Sequence, residues 1–203
     1  MKKLKKLVIC FLIIAMSAGM LYQAEQRKMQ QDIARRILRF HVLANSDSQE
    51  DQNIKYKVRD KIVSDLQQML IEAENLDEAR KLVSSNMDSI VSEAEKVVKE
   101  NGYTYEVSGK ITNCDFPEKQ YGDMVFPAGE YEALRIELGE AEGQNWWCVL
   151  FPSLCFVDSS YDVVSEDGKE ALKENLTEEE YEAVTSHNGK VSIRFKLLQI
   201  FGK

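Results

Sequence analysis

From Leu7 to Leu21 the chain carries no charge, and only Ser17 and Gly19 interrupt its apolar character. Just before this run stand Lys2, Lys3, Lys5 and Lys6, with no acid among them. A basic end, an apolar run and then small residues (Ala15, Ser17, Ala18, Gly19) is the order of a secretory signal. The run is shorter than the ~20 apolar residues of a comfortable membrane-spanning helix, which favours a cleaved signal peptide over a retained anchor. Residues 1–24 are therefore set apart as signal peptide or N-terminal membrane anchor, and the body of the chain is expected to work outside the cytoplasm. Cys10 reads as one more apolar residue of that segment.

Removing the four lysines of that segment leaves 22 basic against 34 acidic side chains, a net charge of −12. Such a body does not seek nucleic acid or anionic lipid by bulk electrostatics, so membrane contact is expected through the N-terminus alone. An apolar content of 44% supplies a proper core for one domain of this length. Residues 25–36 are polar at Glu25, Arg27 and Lys28 and read as a stalk. Residues 37–203 read as a single domain with no internal repeat.

Within that domain Leu38, Phe40, Val42 and Ala44 alternate with Arg39 and His41, the period of a strand. Asn45 to Ser48 breaks it, and Asp47 with Glu50 has the spacing of a capping box. Ile54, Val58, Ile62, Leu66, Met69 and Leu70 then follow helical spacing. A second helix is expected from Asn75 and Asp77 to Asn101-Gly102, with Ala79, Val83, Ile90, Ala94 and Val98 on its buried stripe. Beyond it, Tyr103 to Val107, Glu130 to Leu138 and Trp146 to Phe151 read as strands. Residues between Phe116-Pro117 and Phe126-Pro127 read as a loop. Thr177 and Glu180 cap a short helix in the acidic stretch, and Val191, Ile193, Phe195 and Leu197 alternate as a closing strand. The sum is an α+β domain, a mostly antiparallel sheet with an N-terminal antiparallel helix pair on one face.

Chemistry is sparsely signalled. A thiol hydrolase with Cys148 as nucleophile and His41 as base can be drawn. Cys148, however, sits inside an apolar run rather than at a helix N-terminus, where its pKa would fall. Cys148 and Cys155 are close enough to pair across a bend, with Cys114 left over; the other reading is three buried thiols. Asn45, Asp47 and Asp51 resemble a calcium loop, but Glu50 stands where glycine is required and Tyr56 where the bidentate glutamate belongs. Gly139 to Gly143 places two acids where a nucleotide phosphate would sit. No cofactor and no metal is expected. Two clusters stand out, Phe40 to Asp47 and Asn145 to Pro152. Trp146 and Trp147 must point to opposite faces of a strand, and an indole beside Asn145 is a good interface anchor.

Those clusters carry a resemblance. Arg39 to Ser48, Asp51-Gln52 and Lys57 to Asp60 are similar to the stage II sporulation protein R family. So are Phe116-Pro117, Lys119, Tyr121-Gly122, Pro127 to Tyr131, Ala133 to Arg135 and Asn145 through Phe156. The likeness covers most of residues 37–158 in order; the stalk and the acidic stretch after Asp158 carry little of it. It implies a signalling protein of endospore formation, made in the forespore and exported into the space between forespore and mother-cell membranes. It implies as partner a membrane-embedded aspartic protease of the mother cell, which processes the sigma-E precursor. The family brings no catalytic residues, so a non-enzymatic ligand is expected. Its interface is expected to involve His41, Asn45, Ser46, Asp47, Asp51, Asn145, Trp146 and Trp147.

Overall fold

The computed structural model describes residues 2–155 and 164–185. Helix α1 (Lys2–Ala34) runs unbroken from the apolar segment through the polar residues after it, and Ile33 near its end is fully buried. Its first part is exposed and long and apolar enough to cross a membrane. Strand β1 (Leu38–Leu43) comes next, then helices α2 (Gln49–Leu70), α3 (Leu76–Ser85) and α4 (Met87–Glu100). After them come β2 (Val107–Phe116), a hairpin of β3 (Lys119–Tyr121) and β4 (Met124–Phe126), then β5 (Gly129–Leu138) and β6 (Asn145–Phe151). Helices α5 (Glu166–Asn175) and α6 (Glu178–Thr185) complete the described chain.

The main sheet has the order β2-β5-β1-β6. It is mostly antiparallel, as the alternating segments imply, but β1 and β5 run parallel. All six residues of β1 are buried, because β1 lies between β5 and β6 inside the sheet, with one face under the helices and the other covered at the level of Arg39. Arg39 and His41, which alternation assigns to a polar face, are therefore buried too. On one face Phe40, Val42, Leu134, Ile136, Cys148 and Leu150 pack against Ile54, Val58, Ile62, Ala79, Val83, Ile90 and Ala94 of α2, α3 and α4. On the other, Ala133, Tyr131, Phe116 and Val149 meet the end of α1, the hairpin and α5–α6. Each fully buried aliphatic or aromatic side chain contributes roughly 1.5–3 kcal/mol.

Several local expectations are corrected. The second helix is two: Asn86 ends α3 by turning its amide and its side-chain Nδ2 onto the Leu82 carbonyl. Asn86 bonds local backbone in competition with the helix ladder, as residues of its type do, so the break belongs there. The cap of α2 is Ser48, whose Oγ accepts the Asp51 amide at 3.1 Å, one residue after the expected Asp47. Strand pairing begins at Val107, with Tyr103 and Tyr105 before it. The expected loop between the two Phe-Pro pairs is a hairpin turned by Gly122-Asp123, with Gly122 at φ +54°. A Gly-Asp pair between two short strand-length runs is itself a hairpin signal. Thr177 and Glu180 do form the reciprocal capping box, at 2.7 and 3.3 Å. The closing strand from Val191 to Leu197 lies outside the described residues.

Candidate interaction site on the open sheet face

The polar turn after β1 is occupied with its own architecture. Asp51 accepts hydrogen bonds from Asn45 Nδ2 at 2.8 Å and Ser46 Oγ at 2.6 Å. Burial alone would raise its pKa, but the bonds from Ser46, Asn45 and Ser48 outweigh it and hold the carboxyl below its ordinary value. Asn45 Oδ1 accepts the Glu140 amide at 3.0 Å, and Asp47 Oδ1 accepts the Gln144 amide at 2.7 Å. Beneath them buried Lys55 donates to Gln52 Oε1 and to the Gln144 carbonyl at 3.1 Å. Burial pushes the Lys55 ammonium down. Asn45, Ser46, Asp47 and Asp51 thus clamp the turn between β5 and β6 to the start of α2.

That clamp presents the end of the sheet face opposite α2–α4. The strand registers set Lys110, Arg135, His41 and Trp147 side by side, one residue from each strand. The next row is Ser108, Glu137, Leu43 and Asn145. The two rows below, which contain Arg39, Ala133 and Tyr131, are covered by α1, the hairpin and α5–α6.

His41 stacks on Trp147, with ring centroids 5.7 Å apart and 16° between planes, and meets Asn145 Oδ1 at 3.0 Å. Burial lowers its pKa to about 4, against the opposing hydrogen bond to Asn145 and with help from the Arg135 charge. The ring is neutral at pH 7, donates from Nε2 to Asn145, and keeps Nδ1 as an acceptor. Buried His41 Nδ1 and Trp147 Nε1 have no hydrogen-bond partner among the described residues. Lys119 lies over the Trp147 ring, 4.3 Å from its centroid. Arg135 pairs with Glu137 at 2.7 Å, and Lys110 reaches the same carboxylate at 3.7 Å.

Directly beneath, Arg39 is fully buried in an aromatic box. Its guanidinium carbon is 4.2 Å from the centroid of Phe116 and 4.8 Å from that of Tyr131, with Phe126 and Tyr121 at 5.7 and 5.8 Å. Nη2 donates to Tyr121 Oη at 2.8 Å, and Tyr121 Oη donates to the Trp147 carbonyl at 3.2 Å. No carboxylate among the described residues pairs with it. The charge is held by ring faces instead, which suits a planar, weakly hydrated cation. Sequence reasoning missed this residue, because a lone arginine on an alternating strand reads as solvent-facing.

The remaining candidates point elsewhere. Trp146 faces the helices, edge-on to Phe40 at 5.7 Å, with the Arg59 guanidinium 5.2 Å from its ring. Cys148 and Cys155 are joined, with Cα atoms 5.4 Å apart. Cys114 is a buried free thiol. Cys148 pairs with Phe40 in register and shares its face, whereas His41 points to the other side of the sheet. The thiol–imidazole pair that a hydrolase would require is not assembled. Among the described residues no group of three or more His, Cys, Asp or Glu side chains is arranged to hold a metal ion.

A family model described as stage II sporulation protein R matches residues 34–161, which includes β1 to β6 and the whole open sheet face. Stage II sporulation protein R of Bacillus subtilis (strain 168) is 36% identical over 191 residues, covering 90% of this chain and 85% of the relative. No solved structure matches. The chain belongs to the stage II sporulation protein R family, a family of sporulation proteins.

Proposed function

We propose that this chain is an exported signal of endospore formation. It acts in the space between forespore and mother-cell membranes, where it activates the mother cell's membrane-embedded aspartic protease toward the sigma-E precursor. The observation that carries the reading is family membership over residues 34–161, together with 36% identity to the Bacillus subtilis protein. The exposed apolar stretch of α1 supports export, through residues 1–24 as signal or anchor. The separation of Cys148 from His41 on opposite sheet faces favours binding over thiol chemistry.

In this reading His41, Asn145 and Trp147 meet the protease ectodomain. Asn45, Ser46, Asp47 and Asp51 hold that surface in shape, and Trp146 anchors the strand to α2. Activation requires that the chain bind the active arrangement of the protease more tightly than the inactive one. The test is precursor cleavage in membranes carrying the protease, with the chain added from the extracellular side. Cleavage that survives the paired substitution Cys148→Ser with Cys155→Ser in a folded chain, but fails when the protease's own aspartates are replaced, makes the chain a ligand. Cleavage that proceeds equally without the chain would sink the reading.

A further inference from the structure

The body of this protein is strongly acidic, yet one surface runs against that charge. On the open sheet face Lys110 and Arg135 share a single carboxylate, Glu137, Lys119 lies over Trp147 at the other end of the row, and His41 is neutral, leaving these groups a net +2 at pH 7. The floor between the cations is the stacked pair His41 and Trp147. It offers an unused acceptor, His41 Nδ1, and an unused donor, Trp147 Nε1, while Arg135 Nε beside them is ion-paired to Glu137 without a hydrogen bond. Unsatisfied buried polar atoms are costly, and two of them adjacent at one register level invite an explanation.

We propose that this face is a docking surface for an extended, acidic segment of a partner protein, seated on Trp147 between Lys110, Lys119 and Arg135. The inference rests on the proposed function and deepens it by naming the chemistry of the partner surface. Carboxylates of such a segment draw Lys119 off the indole face and uncover Nε1, which then donates to a carbonyl or carboxylate oxygen. His41 Nδ1 accepts a peptide N–H. An extended backbone supplies both an acceptor and a donor at close spacing, whereas a lipid headgroup supplies acceptors without amides. The chain's own end is not the occupant by charge: residues 186–203 hold Lys190, Arg194, Lys196 and Lys203 and no acid.

The experiment uses the full chain in phosphatidylcholine nanodiscs with Trp146→Phe, so that Trp147 is the sole tryptophan of a chain that has two. A glutamate-rich decapeptide is titrated while indole emission is followed, and a lysine-rich decapeptide serves as control. The expected result is saturable binding of the acidic peptide alone, weakened about tenfold or more by Lys110→Glu with Lys119→Glu at unchanged Tm. The same double variant is expected to lose precursor cleavage in the protease assay.

Absence of acidic-peptide binding, or binding and cleavage both indifferent to the charge reversals, overturns the proposal. So does a response to phosphatidylglycerol discs without one to the peptide, or light scattering that shows the chain dimerising through this face. Peptide binding that is sensitive to the reversals, in a chain that never triggers precursor cleavage, keeps the docking surface and rejects the proposed function instead.

Discussion

Arg39 and His41 show how far burial can redirect a side chain that local pattern assigns to solvent. Arg39 lies against four aromatic rings, and that geometry is specific to a guanidinium. Arg39→Lys is therefore expected to destabilise the domain by about 2 kcal/mol or more, because an ammonium is more strongly hydrated and cannot stack. Arg39→Met, apolar and of similar reach, is expected to cost less than Arg39→Lys; urea unfolding of the two variants checks the order. For His41 the sign comes from its lowered pKa. The unfolded ring titrates near 6.5 and the folded ring near 4, so the unfolded chain binds more protons between those values. The stabilisation is complete above pH 6.5 and is lost as pH falls toward 4. Its size is on the order of 2 kcal/mol, reduced from the full linkage value because part of the ring's surroundings is solvated. Unfolding free energies across that window, wild type against His41→Gln, should converge toward the acid end; parallel curves would refute the assignment.

At the scale of elements, the helices and strands were largely legible, and the errors fell where short-range competition decides. The alternation of Glu130 to Leu138 and the apolar run from Trp146 gave β5 and β6, and helical spacing from Ile54 to Leu70 gave α2. The break at Asn86 and the Gly122-Asp123 hairpin were missed, since one polar residue or one dipeptide outweighs a long periodic pattern at those points. The turn between β5 and β6 is specified by contacts from a distant element. Gly139 sits at φ +57°, and a Cβ there would strike Asn45 Oδ1; a Cβ on Gly143 would strike the Ser46 carbonyl. Gly139→Ala is expected to cost about 2 kcal/mol from the left-handed backbone and the displaced clamp together. A Gly139→Ala variant as stable as wild type in urea would show that the clamp yields freely.

For the whole molecule, α1 joins the apolar N-terminal segment to the domain without a break, and its two ends have different duties. Removal of residues 1–24 is expected to leave Tm unchanged, because the side chains described in that stretch are exposed. Removal of residues 1–34 also takes away fully buried Ile33 and the Gln30 bond to the Glu130 carbonyl. That truncation should cost about 2–4 kcal/mol of stability, read as a fall in Tm of the soluble chain. Equal Tm for both truncations would place all of α1 outside the folding unit. By itself the sequence determined the apolar N-terminal segment, the acidic body, the α+β class and the family likeness, because charge, period and motif order are local properties. Tertiary structure decided that Trp147, His41, Arg135 and Lys110 share one row, that Arg39 lies in an aromatic box, and that Cys148 is turned away from His41. Those placements depend on strand order and register, and a register is fixed only when segments from opposite ends of the domain pack together.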